Sequence, residues 1–395
     1  MAHDETYRER TALAAPLRIR GVELKNRMVL APMQVYSAVG GFPTDWHFYH
    51  LAKFAQGGFG VVFTEALAVQ DVGRNTYGDL GVWWDGFVPP LRRIAEMLRG
   101  LGAMPAAQLF HAGPKASRQR PWEGYGPIGE AEATRGEPPW QPLAPSPDPR
   151  VEGWLSPRML SIAEIDDLVS AYGEGARRCA EAGFDVLEIH GAHGYLIHSF
   201  YSPLGNDRTD SYGGGRAGRM RFPLEVAEAV RAAWPPDKPL LFRMSCIDGE
   251  DGGWNIEDSI ALTRELALLG VDLIDCSSLG IGASPTARVL ARVPGFQVHY
   301  AERIRRETGV LTMAVGLILT GRQAEDILEH GGVDLICVAR EALYNPNWAL
   351  HAVQEVGGDP EWRQWPPQYG WWLSRRAEQL RLGEIENLAT RRQRR

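Results

Sequence analysis

The chain has 395 residues, 44% hydrophobic and 23% charged, the balance of a globular enzyme with room for one large barrel or two ordinary domains. A formal charge of −7 gives no electrostatic reason to bind nucleic acid or an anionic membrane, and no apolar run approaches membrane-spanning length. Four scattered cysteines, Cys179, Cys246, Cys276 and Cys337, three of them in apolar strand-like runs, suit buried thiols in a reducing compartment better than disulfides or a metal cluster.

Residues 1–10 are polar and lack the apolar core of a signal peptide, so a cytoplasmic location is expected. Residues 17–26 read as a short hairpin turning near Gly21, followed by a strand over 28–35. From there an apolar strand, a polar or glycine break and an amphipathic helix repeat. Further strands are expected at 61–69, 104–110, 186–190, 240–245, 273–277, 311–317 and 335–338. Helices are expected at 87–99, 162–182, 222–233, 256–269 and 321–329, several closed by a glycine such as Gly183, Gly270 or Gly331.

Eight strands alternating with helices predict an α/β chain folded as a single (β/α)8 TIM barrel over about 17–350. The competing doubly wound sheet would place a G-x-G-x-x-G turn after its first strand, and none is there. Gly213-Gly214-Gly215 follows no strand and reads as a turn. Residues 113–157, rich in proline, glycine and tryptophan without a period, read as a lid or substrate-shaping insertion. The tail, 351–395, carries Trp362, Trp365, Trp371 and Trp372, which argues for packing against the barrel or a second subunit. Its last five residues, Arg391 to Arg395, read as a solvated, frayed end.

A barrel of this kind collects its chemistry at the C-terminal ends of its strands. Gln34, Glu65, Gln108 with His111, His190, Arg243, Gly316 and Arg340 all fall there. The densest cluster follows the fourth strand, where His190, His193 and Tyr195, with His198 beyond, can hold a substrate oxygen and deliver a proton. A structural role for the histidines stays open, as does a metal reading of His-x-x-His, although that spacing lacks the helix and the intervening acid of a zinc protease. Arg243, inside Leu-Leu-Phe-Arg-Met, calls for an anion, an electron-rich ring or a salt bridge. Gly316 and Arg340 at the seventh and eighth strands suit a phosphate.

Taken together, several segments resemble the old yellow enzyme family of FMN-dependent ene reductases, in its xenobiotic reductase and thermophilic-like branch. They are Leu24-Lys25-Asn26-Arg27, Ala31-Pro32-Met33, Asp45-Trp46-His47, Gln108-Leu109-Phe110-His111-Ala112-Gly113, His190-Gly191-Ala192-His193-Gly194-Tyr195 and the run from Asn206 to Gly214. The resemblance covers about Leu17 to Arg375 and implies non-covalent FMN at the barrel mouth, reduced by NADPH or NADH. By that likeness Ala31, Pro32, Met33, Ala66 and Gln108 line the flavin ring, Arg243 sits at its N1–C2=O edge, and Gly316, Ala339 and Arg340 take its phosphate. His190 and His193 then bind the carbonyl oxygen of an α,β-unsaturated substrate, Tyr195 supplies the proton, and Tyr36 contacts substrate.

The departures are Gln34, where this branch has cysteine and the other threonine, Pro114 for an arginine, Gly218 for an asparagine and Ala339 for a glycine. The tail lacks the arginine that some members insert into a neighbour, so Trp372 or Trp371 is expected to wall the pocket across a homodimer or homotetramer interface. The resemblance implies an NAD(P)H-dependent enone reductase with no metal. A flavin dehydrogenase, or a reductase of nitro compounds or a pathway-specific intermediate, is the alternative that Gln34 motivates; a metal-dependent hydrolase on the same barrel is the alternative of another class.

Overall fold

The structure is a computed structural model describing residues 11–147, 154–281 and 290–393, with side chains as far as residue 383. Twelve strands, numbered β1–β12, are present among the described residues, and eight of them close a parallel barrel. Those eight are β3 (Met28–Leu30), β4 (Val61–Ala68), β5 (Met104–Phe110), β8 (Val186–Gly191), β9 (Leu240–Ser245), β10 (Leu273–Ser277), β11 (Leu311–Ala314) and β12 (Leu335–Val338), with β12 pairing back onto β3. Helices follow most strands and cover the outside, the (β/α)8 arrangement that the alternation predicts.

Period-two alternation decides what each strand gives to the interior. Val61, Phe63, Ala106, Val186, Leu241, Leu273, Met313 and Leu335 fill the middle of the barrel. Their neighbours Val62, Ala107, Leu187, Phe242, Ile274 and Ile336 pack outward into the core beneath the helices. Two residues further along, the inward series changes character and becomes Gln108, Glu188, Arg243, Asp275 and Cys337, all buried. The barrel is therefore dry below and polar at the end where chemistry is expected.

The N-terminal end is closed by the hairpin of β1 (Leu17–Ile19) and β2 (Val22–Leu24), which turns through Arg20 in the left-handed region and Gly21. Ile19 and Leu24 join the apolar cluster inside the barrel. Arg20 clamps the plug, with its Nε 2.7 Å from Asp272 and its terminal nitrogens on the carbonyls of Pro236 (2.8 Å) and Gly270 (3.1 Å).

Element boundaries differ from expectation where local chemistry intervenes. β3 stops at Leu30, well short of residue 35, because Pro32 has no N–H to continue the ladder; the last such bond is Ala31 N–H to Val338 O at 2.9 Å. β11 ends at Ala314 because Gly316 and Leu317 turn to positive φ. The helix expected from Phe222 begins at Arg216 and tolerates Pro223 in its interior. Helices Asp45–Gln56, Val298–Thr308, Trp348–Glu355 and Pro367–Gln393 were not anticipated.

The insertion after β5 is tied together rather than regular. Arg120 is bidentate to Glu137 at 2.7 and 2.9 Å, Arg135 bridges Glu123 and Glu137, and β6 (Leu143–Ala144) pairs with β7 (Arg158–Met159). Residues 148–153 of it lie outside the described residues, as do the N-terminal 1–10 and the side chains of the basic end. In the tail, Trp365 is buried beside His351 and Trp362, whereas Trp371 and Trp372 stand 54% and 67% exposed on the last helix. No helix among the described residues is long and apolar enough to cross a membrane.

Truncating the plug tests its part in closing the barrel. Ile19→Ala or Leu24→Ala should lower unfolding free energy by about 2–5 kcal/mol in denaturant titrations. A loss well below that range would mean that the barrel core is sealed without the hairpin.

Candidate active site

The turn after β8 presents the predicted cluster, and its backbone needs outside help to hold its shape. His193 adopts φ +61 and Gly194 φ +74, and a Cβ at Gly194 would lie 2.0 Å from Gly280 O on the loop after β10, so only glycine fits. Lys115 Nζ staples those two loops by donating to His193 O at 2.6 Å and Gly280 O at 2.7 Å. Ser245 Oγ accepts from His193 N–H at 2.9 Å, and His198 Nδ1 accepts from Gly194 N–H at 2.8 Å. His198 thus carries its proton on Nε2, which faces Asp248 Oδ1 at 2.8 Å. Burial pushes the Asp248 carboxyl up, but hydrogen bonds from His198, Ser202 and Trp254 N–H hold it below the usual range. His198 is a buried prop for the turn.

His190 and His193 meet edge to face with ring centres 5.1 Å apart, and His190 faces Tyr195 at 4.9 Å. Ala192 N–H donates to His190 Nδ1 at 3.2 Å, which puts the proton of a neutral ring on Nε2, 3.4 Å from His193 Nδ1. Both imidazoles are held neutral, first by burial and then by the Arg243 charge. Burial also pushes the Tyr195 phenol up to about 12, so it keeps its proton. Asn75 Nδ2 lies 3.4 Å from that hydroxyl, and the Asn75 backbone is fixed by Asp79, which accepts from its N–H at 2.7 Å.

Below the turn lies the polar layer of the barrel. Gln108 Nε2 donates to Glu188 Oε1 at 2.6 Å. Arg243 Nε donates to Ser277 Oγ at 3.1 Å and lies 3.0 Å from Asp275 Oδ2. Two buried carboxyls thus lie in the field of one cation, Asp275 in contact with it and Glu188 through space. Burial, reinforced by Asp275, pushes the Glu188 carboxyl up to about 8, and burial raises Asp275 as well. Of the alternatives for Arg243, the salt bridge is present, to Asp275, and the side chain also lines the cleft.

The loop after β3 is anchored by Glu65, whose Oε2 accepts from Val35 N–H at 2.5 Å while Oε1 faces His47 Nε2 at 3.1 Å. Gln34 Oε1 accepts from Ala66 N–H at 2.8 Å, which fixes the orientation of the amide. Its Nε2 is buried and has no hydrogen-bond partner among the described residues. Tyr36 follows at φ +51 with its ring 5.9 Å from Trp122 of the insertion.

A cleft of about 480 Å³ opens over these strand ends. Its wall includes Lys115, Arg118, Tyr125, His193 and Tyr195 from the loops after β5 and β8, Arg243 and Ser277 from β9 and β10, and Gly316, Ala339 and Arg340 after β11 and β12. Gly316 has φ +120, and a Cβ there would crowd Phe296 and Gln297 at 3.1 Å. Ala31 and Ala66 join this mouth through backbone bonds to Val338 and to the Gln34 side chain, and Pro32 and Met33 lie in the loop between. Gln108 turns inward to Glu188 and is not on the cleft wall. Trp372, on the exposed tail helix, is not on it either. Sequence reasoning missed Asn75, Lys115, Arg118, Tyr125, Glu188 and Asp275. Glu188 and Asp275 were findable, since each stands two residues beyond an inward apolar residue of its strand; the loop residues carried no such periodic signal.

A model of the NADH:flavin oxidoreductase / NADH oxidase family matches residues 12–357. The chain is 42% identical over 349 residues to an NADPH dehydrogenase from Geobacillus sp. (strain WCH70), covering 88% of this chain and 95% of that protein. A 2-naphthoyl-CoA reductase solved with 2-naphthoyl-CoA aligns with a TM-score of 0.77 at 25% identity, over 89% of this chain and only 53% of the other, so the chain spans about half of that enzyme. The old yellow enzyme homologue from Zymomonas mobilis aligns with a TM-score of 0.71 at 24% identity, over 87% and 93% of the two chains, a likeness of fold.

Burial of Glu188 beside Asp275 makes stability pH-dependent. Because the folded-state pKa of Glu188 is raised from 4.5 to about 8, its contribution is fully present below pH 4.5 and is lost as pH rises through 8. Urea unfolding of the flavin-free protein should show this decline, and Glu188→Gln should flatten it. An unchanged slope in the variant would assign the proton elsewhere.

Proposed function

The chain belongs to the NADH:flavin oxidoreductase / NADH oxidase family, that of the old yellow enzymes, and on that premise we propose that it reduces the activated C=C bond of α,β-unsaturated carbonyl compounds. As a member it is an FMN-dependent oxidoreductase that uses NADH or NADPH. The residues present fit FMN. The unclaimed Gln34 Nε2–H₂ offers a donor to the acceptor edge of a flavin, Arg243 suits the edge that becomes negative on reduction, and Gly316 lets backbone approach a phosphate with Ala339 and Arg340. Ala31, Pro32, Met33 and Ala66 would line its ring. Gln108 would reach it only by leaving or sharing Glu188.

Bound FMN, once reduced by NAD(P)H, supplies a hydride to the β-carbon of the alkene. The observation that carries the reading is the clustering of His190, His193 and Tyr195 after β8, with His193 and Tyr195 on the cleft wall, His190 packed edge to face against both, and all three neutral. Each neutral imidazole has one N–H to give, and the carbonyl oxygen of an enone gains negative charge as the β-carbon accepts hydride. Donors fixed in a desolvated site stabilise that charge without reorganising. Tyr195 keeps its proton until the α-carbon becomes basic enough to take it, the behaviour required of a general acid. Tyr36 and the insertion would shape the space around the alkene.

Gln34 supports a second reading, a flavin dehydrogenase or a reductase of nitro or pathway-specific compounds, because an amide donor replaces the thiol or hydroxyl of the relatives' branches. Family membership directs the histidine pair to redox chemistry rather than to a metal-dependent hydrolase. The exposed Trp371 and Trp372 suit burial against a second copy in a homodimer or homotetramer, where Trp372 would wall the neighbouring pocket. Truncation after Pro367 should then change substrate range; identical kinetics on several enones would remove the tail from the pocket.

An anaerobic visible spectrum tests the cycle. Flavin bands should bleach with NADPH and return with 2-cyclohexenone; bleaching without return would favour the second reading. Tyr195→Phe should slow the return about 10²–10⁴-fold while sparing the bleaching. His190→Ala should raise the barrier to alkene reduction by about 2.7–4 kcal/mol. Equal slowing of both half-reactions by either change would argue against these roles.

A further inference from the structure

We propose that Arg118 anchors an anionic group, a carboxylate or a phosphate, on the molecule that occupies the substrate end of the cleft; this rests on the reading above that substrate lies beside Tyr195. Arg118 is only 8% exposed and forms part of the cleft wall with Lys115, Tyr125 and Tyr195. Among the described residues no carboxylate stands within ion-pair distance of it. Its Nε donates to Lys115 O at 2.8 Å, and its terminal nitrogens donate to no described residue. The planar head lies over the rings of Tyr125 at 4.8 Å and Trp154 at 5.2 Å. The backbone beneath is pinned by Arg118 N–H to Asn75 O at 2.8 Å.

A buried cation without a counter-ion is costly, and proteins retain one where a ligand completes the pair. The insertion itself supplies the contrast. Arg120 is matched by Glu137, and Arg135 by Glu123 and Glu137. Nearby buried acids are also committed: Asp79 to Asn75 and Thr76, Glu132 to Gly129 and Gln119. Among the described residues Arg118 has no such partner, and its head stacks on Tyr125 and Trp154 at the cleft wall. That geometry suits a two-oxygen acceptor, because a preoriented guanidinium loses little freedom when it pairs. The anion can come from a carboxylate-bearing substrate or from the phosphate that distinguishes NADPH from NADH.

The test is a visible-band titration of the oxidised holoenzyme with 4-hydroxybenzoate and 4-hydroxybenzaldehyde, which differ in charge at the para position. The wild type should prefer the benzoate, and Arg118→Met should weaken the benzoate at least about tenfold while leaving the aldehyde within about twofold. Arg118→Lys should recover part of the preference, with flavin content and melting temperature reporting that each variant folds. Dissociation constants for NADPH and NADH, from the rate of flavin bleaching, form the other arm. A loss confined to NADPH would support the anchor and assign the anion to the reductant. No charge preference in either ligand pair, or equal weakening of charged and neutral ligands, would overturn the proposal. The phenol arm reads binding without chemistry and the nicotinamide arm needs only flavin reduction, so this failure is separate from failure of an enone to reoxidise the flavin.

Discussion

One guanidinium whose field covers two buried carboxyls organises the upper half of this barrel. Arg243 lies against Asp275 and near Glu188, and strand pairing sets these groups side by side, since His190 is in register with Arg243, and Arg243 with Asp275. In so dry a place two carboxylates and one cation cannot all be charged at low cost, so a proton is retained in the layer. The same charge helps to keep both histidines above it neutral. The acid–base state of the site is thus set from below, by strands, before any loop contributes.

The loops then convert that state into direction. Neutral histidines act through which nitrogen carries the proton, and here backbone N–H groups make the choice, Ala192 for His190 and Gly194 for His198. The turn that presents them is strained at His193 and rests on Gly280, on Lys115 and on the His198–Asp248 pair. Strain of this kind persists only where neighbours over-determine it. Three hydrogen bonds do so here, from Lys115 Nζ to His193 O, from His193 N–H to Ser245 Oγ and from Gly194 N–H to His198 Nδ1.

Strand positions were legible in the amino-acid order to within a residue or two wherever an apolar run was bounded by glycine or polar residues, as for β5, β9, β10 and β12. Period and punctuation are properties of the local chain, and the barrel preserves them. Legibility failed for Val298–Thr308, a short helix crowded with charged residues, and for Pro367–Gln393, whose residues follow no single-face pattern. In the site, His190, His193, Tyr195 and Arg243 were readable because their types and strand-end positions coincide. The bond from Gln108 to Glu188 was not legible, because reading one strand cannot show which side chain the next strand sets beside it. Asn75 and Arg118 were invisible for a related reason: each matters through a partner, or the lack of one, that only the folded chain brings near.

The internal clasp of the insertion, Arg120 to Glu137 and Arg135 to Glu123, has a bearing on how such a molecule diversifies. Because these ion pairs close within one contiguous stretch, much of that stretch holds itself together without drawing on the barrel. That segment can therefore change as a unit while Lys115, which braces the turn after β8, and the strand ends beneath stay as they are.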